Sequence, residues 1–114
     1  MEKPTTYMRK GYNGWTAKTE LPLEGITRED HNGTCQAILT ISTAKTSRGG
    51  LATSASVAFK SGAFMSHLLY QDFNANYKTE PDARCTVKAV ERLHDEALAD
   101  LELIVTAARN HYAD

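Results

Sequence analysis

Apolar and polar positions alternate with a period of two through the middle of the chain, then recur at helical spacing near its end. In residues 15–21, Trp15, Ala17, Thr19 and Leu21 fall on one side, and Thr16, Lys18 and Glu20 on the other. That pattern predicts a half-buried strand. Pro22 is expected to end it, because proline has no amide proton to give a ladder. Residues 22–33 then read as a charged loop closed by Asn32-Gly33. Residues 34–45 alternate most clearly, with Cys35, Ala37, Leu39, Ile41 and Thr43 on one face. In 51–60, Leu51, Thr53, Ala55, Val57 and Phe59 oppose Ala52, Ser54, Ser56 and Ala58. A further strand is expected over 63–73. Upstream, Tyr7, Met8 and Tyr12 mark at most a short edge strand. Asn13-Gly14 is a tight-turn dipeptide, since both residues tolerate positive φ.

The turns suggest a register. A reversal centred on Arg48 pairs Leu39 with Val57 and Ile41 with Ala55. A two-residue loop at Ser61-Gly62 pairs Phe59 with Phe64, Ala55 with Leu68 and Thr53 with Tyr70. Paired residues point to the same side of a sheet. Leu39, Ile41, Val57, Phe59, Phe64, Leu68 and Tyr70 then form the core face. The opposite face collects Ile38, Thr40 and Ser42, then Ser54, Ser56 and Ala58, then Met65, His67, Leu69 and Phe73.

Thr79-Glu80-Pro81-Asp82 carries a hydroxyl cap, an early proline and early acids, which are helix-start signals. From Val87, the apolar residues Val90, Leu93, Ala97, Leu98, Leu101, Ile104, Val105 and Ala108 follow at helical spacing, with no glycine or proline between them. A helix of about 28 residues is on the order of 42 Å long, enough to cross the roughly 36 Å of an 11-residue strand. The expected fold is α+β: an antiparallel sheet of about four strands, a β-meander, with one long C-terminal helix packed on one face. No internal repeat or linker interrupts residues 1–114, which read as a single domain.

Composition narrows the picture only slightly. The 114 residues are 41% hydrophobic and 24% charged, with a formal charge of −1 and a pI near 6.4. The total gives no push toward nucleic acid or membrane. The distribution is less even: residues 31–78 hold four bases against one acid, and residues 79–114 hold eight acids against four bases. Met1-Glu2-Lys3-Pro4 has no apolar run behind it and no stretch approaches a membrane span, so the expectation is a cytoplasmic protein with reduced thiols. Asn32-Gly33-Thr34 then reads as a turn and not as a glycosylation acceptor.

The chemistry-bearing residues form no recognised constellation. Cys35 falls in a core strand and Cys85 near a helix start without an identifiable base. His31, His67, His94 and His111 lack metal-ligand spacing, and there is no Cys-x-x-Cys, His-Glu-x-x-His or Gly-rich phosphate loop. No catalytic residue, metal or cofactor is expected. One helix covers one side of an open sheet, so Ile38, Met65, His67 and Leu69 are expected on an uncovered face. Burying large apolar side chains is worth about 1.5–3 kcal/mol each, and monomers rarely leave such patches wet. The first expectation is therefore a non-catalytic protein-binding domain that meets a second copy of itself, or another protein, through this face. The N-terminal segment is the other candidate cover. An alternative is a nucleic-acid-associated protein using Lys45, Arg48 and Lys60 of the basic middle segment. A third is a small enzyme built on His67 or Cys85 in a dimer cleft.

Overall fold

The computed structural model describes residues 4–30, 33–61 and 68–113, the side chains of 30, 61 and 68–72 excepted. One antiparallel sheet contains five strands in the order β1-β2-β3-β4-β5. They are β1 (Thr6–Gly11), β2 (Gly14–Asp30), β3 (Gly33–Lys45), β4 (Leu51–Ser61) and β5 (Leu68–Glu80), followed by helices α1 (Val87–Ala99) and α2 (Leu101–Tyr112). The α+β class and the meander match the sequence expectation. Five strands stand against about four expected, and two successive C-terminal helices against one; two strand boundaries and one register differ.

The β3–β4 register agrees with expectation, with Leu39 opposite Val57 and Ile41 opposite Ala55. Its tight reversal and unbroken alternation make it legible. β1 is a full partner of β2, pairing from Thr6–Thr19 to Gly11–Gly14. It therefore widens the sheet at its edge and does not cover the outer face. Tyr12 and Asn13 form its turn with β2, and only Gly14 there takes positive φ, at 112°.

β2 runs on through Pro22 to Asp30, where a loop was expected. β1 ends opposite Thr19, so the rest of β2 lies at an edge, where a missing amide proton leaves no ladder bond unmade. Its pairing with β3 shifts between Pro22 and Thr27. The Gln36 amide bridges this irregularity, donating to the carbonyls of Leu23 at 2.7 Å and Ile26 at 3.2 Å.

β5 departs furthest from expectation. Lys60 pairs with Leu68, so the reversal is longer than two residues, and Ala55, Val57 and Thr53 face Ala75, Phe73 and Lys78. Register shifts near Ser54, Ala58 and Lys60 break the strict alternation on which the expected pairing relied. Phe73, expected on the outer face, packs on the core side against the principal apolar cluster.

The helix begins later and divides. β5 occupies the segment through Glu80, and Thr86 caps α1 by accepting from the Ala89 amide at 3.2 Å. Asp100 separates the helices as C-cap of α1 and N-cap of α2. No glycine or proline causes the break. Instead the Tyr77 hydroxyl, carried by β5, donates to the Asp100 carboxylate. Among the described residues no helix is long and apolar enough to cross a membrane.

Two apolar clusters fill the space between sheet and helices. Leu39, Ile41, Val57 and Phe59 meet Ala97, Ile104 and Ala108 in the larger. Ala17 and Leu51 meet Val90 and Leu93 in the smaller, with Met8 and Trp15 against them.

Candidate functional site

His94, on the inner side of α1, is buried at 1% exposure. Its Nε2 lies 2.7 Å from Thr19 Oγ1 and its Nδ1 2.8 Å from Thr43 Oγ1. Thr43 continues to Thr53 at 2.6 Å, and Thr19 to Thr6 at 2.7 Å. Four hydroxyls and one imidazole thus form a chain reaching from β1 to β4. Burial lowers the imidazole pKa, with a small opposing pull from Asp95. Hydroxyls can accept from either protonation state, so loss of hydration, not hydrogen bonding, keeps the ring neutral. The signal was in the sequence: Thr19, Thr43 and Thr53 occupy inward positions, and His94 lies four residues after Val90 on the apolar stripe. Apart from the half-buried Thr6, this network is buried between sheet and helix and holds the core together; it is not a site for a ligand.

The accessible chemistry lies at one end of the sheet. The register brings the β1–β2 turn, the β3–β4 turn and the β5–α1 connection to the same end. Two glycines allow these loops to touch. A β-carbon on Gly14 would stand 2.8 Å from Cys85 Sγ, and one on Gly50 2.5 Å from the Glu80 carbonyl oxygen. The β3–β4 turn is closed by Thr46 N to Gly50 O at 3.2 Å and Gly49 N to Thr46 O at 3.1 Å. It presents Arg48 to solvent.

Arg9, Lys10 and Lys18 lie beside the β1–β2 turn, Lys45 and Arg48 at the β3–β4 turn, and Arg84 and Lys88 where β5 passes into α1. All seven are exposed. The ion pairs among the described residues engage other cations: Lys60 with Glu20, and Lys78 and Arg92 with Glu80 and Glu96. Arg109 donates to the Glu24 carbonyl, and Arg28 stacks over Phe59 at 4.6 Å. Of the acids at the loop end, Glu80 is bound by Arg92 at 2.5 Å, which lowers its pKa; Asp82 and Glu91 remain. Among the described residues the large exposed aromatics are Tyr7 and Tyr12, on β1 and its turn with β2. Tyr7 pairs with Lys18, and Arg9 with Thr16, on the face away from the helices. Between them runs a shallow cleft of about 560 Å³, with Glu20 at its margin.

The expected nucleic-acid residues are divided by this arrangement. Lys45 and Arg48 join the loop end. Lys60 lies nine residues along β4 from Leu51, the partner of Lys45, roughly 30 Å away. It is paired with Glu20 at 2.9 Å, an interaction that lowers the Glu20 pKa. The missed cations, Arg9, Lys10, Lys18, Arg84 and Lys88, lie in separate sequence segments that only the meander brings together.

Of the expected protein-binding residues, Ile38 is half-buried on the outer face between Pro22 and Ala58. Met65 and His67 lie outside the described residues, as does the side chain of Leu69. The described outer face is largely small and polar. Its rows run Lys18, Ser42, Ser54, Asn76 and Glu20, Thr40, Ser56, Asn74. Cys85 gives its thiol to the Trp15 carbonyl at 3.3 Å. Cys35 opposes Ser61 at the other end of the sheet, too far for a disulfide with Cys85. Neither cysteine is in a disulfide. No group of three metal-ligating side chains occurs among the described residues.

No protein-family model matches this chain, and no curated protein or solved structure matches it.

Proposed function

We propose that this chain is a non-catalytic, nucleic-acid-associated protein that docks a phosphate backbone against the loop end of its sheet. One observation carries the reading: seven exposed cations that make no ion pair with a described residue, from four stretches of sequence, gather at that end. Phosphate contacts of this kind supply most sequence-independent affinity by releasing condensed counterions. The formal charge of −1 does not oppose it, because the local field at a surface depends on how charge is distributed. Binding of labelled DNA and of heparin, titrated between about 50 and 200 mM salt, tests the reading. Affinity is expected to fall steeply with salt. Retention of no polyanion at the low-salt limit rejects it.

Self-association through the outer sheet face is the second reading. Ile38 favours it: this branched apolar side chain interrupts a described face of largely small and polar residues, against which a second sheet could pack. The contact would extend to Met65, His67 and Leu69. Light scattering on wild type and Ile38→Asp tests it, and a wild-type monomer at high micromolar concentration rejects it.

A further inference from the structure

We infer that the nucleic acid held at the loop end is single-stranded, with bases stacked on Tyr7 and Tyr12 and its backbone passing Arg9 and Lys18. The inference rests on the phosphate-docking reading and narrows it to one class of ligand. Cations alone hold any polyanion; the tyrosines add a demand that a duplex does not meet. Tyr12 is 104% exposed at the tip of the β1–β2 turn and Tyr7 is 63% exposed on β1. Both line the cleft that Arg9 and Lys18 also line. Tyr12 lies five positions along the chain from Tyr7, at most roughly 17 Å away, a span of a few nucleotides. Aromatic rings beside a basic groove are how proteins grip single strands without reading sequence, because an unpaired base offers its π face and a paired base does not. Glu20 at the cleft margin does not repel the backbone as a lone carboxylate would, since Lys60 neutralises it at 2.9 Å.

The probes are a labelled oligothymidylate of about 20 nucleotides, a duplex of the same length and heparin, which has charge but no bases. Tyr7→Ala and Tyr12→Ala are each expected to weaken oligothymidylate binding about tenfold, while heparin binding stays unchanged. Tyr7→Phe and Tyr12→Phe are expected to retain affinity, because stacking needs the ring and not the hydroxyl. Arg9→Gln and Lys18→Gln are expected to lower the slope of log affinity against log salt by about 0.7 each, whereas the tyrosine variants leave that slope unchanged. These side chains are exposed, and circular dichroism with thermal melting is expected to show each variant folded as wild type. If duplex and heparin bind as tightly as oligothymidylate and the tyrosine variants bind as wild type, the stacking inference is overturned and phosphate docking stands. If no probe binds at low salt, both fall.

Discussion

At Gly50 the backbone adopts a φ of 78°, and a β-carbon there would lie 2.6 Å from Pro81 backbone atoms as well as 2.5 Å from the Glu80 carbonyl. Backbone cannot yield as a flexible side chain does. Gly50→Ala is therefore expected to cost on the order of 3 kcal/mol, read from urea denaturation. His94 supplies a second test. Its folded pKa is depressed by burial from an ordinary value of 6.5. Between the folded value and 6.5 the unfolded chain holds the extra proton. The contribution is thus complete above pH 6.5 and is lost as pH falls through that window. Stability is expected to decline as pH falls below 6.5, and less so in His94→Ala. That variant, which strands the Thr19 and Thr43 hydroxyls, is also expected to lose about 3 kcal/mol at neutral pH. The carboxylates with lowered pKa, Glu20 and Glu80, act in a separate window below 4.5. The inward threonines were visible in the alternation; what hid their role was chemistry, since threonine and histidine suit wet surfaces as well as paired interiors.

Among the elements, the division of the helix at Asp100 rests on a contact with β5. The Tyr77 hydroxyl donates to the Asp100 carboxylate, and this bond raises the phenol pKa. The Asp100 carbonyl receives the Leu103 and Ile104 amides at 3.0 and 3.1 Å. Tyr77→Phe is expected to cost about 1 kcal/mol and to speed hydrogen exchange at Leu103 and Ile104. The local signal is slight, an aspartate of the kind that favours N-caps, and the residue that holds Asp100 lies over twenty residues upstream. The sequence was silent on β5, whose irregular pairing depends on neighbours, and on β2 beyond Pro22, whose persistence depends on lying at an edge. β3 and β4 were legible because their pattern and turn are local.

For the whole molecule, the relevant property is the gathering of exposed cations at one end of the sheet. The side chains of Arg48 and Arg84 make no hydrogen bond or ion pair with described residues. Arg48→Glu combined with Arg84→Glu is expected to abolish heparin and DNA retention while leaving the melting temperature within a few degrees of wild type. A comparable fall in melting temperature would assign these side chains to folding. The candidate site was only half legible: Lys45 and Arg48 stood out as one basic stretch, but their neighbours arrive from other stretches through topology. Lys60, close in sequence, is remote in space.

The hydroxyl–imidazole chain occupies a band between two greasy compartments, and that position has a mechanical consequence. If the rod slipped along the sheet by one turn, about 5.4 Å, the ring would enter hydrocarbon and the threonines would lose their partner. A purely aliphatic contact would tolerate such creep. The band acts as a locating pin, allowing the helix one seating and thereby fixing where α1 begins, and with it the stance of Arg84 and Lys88.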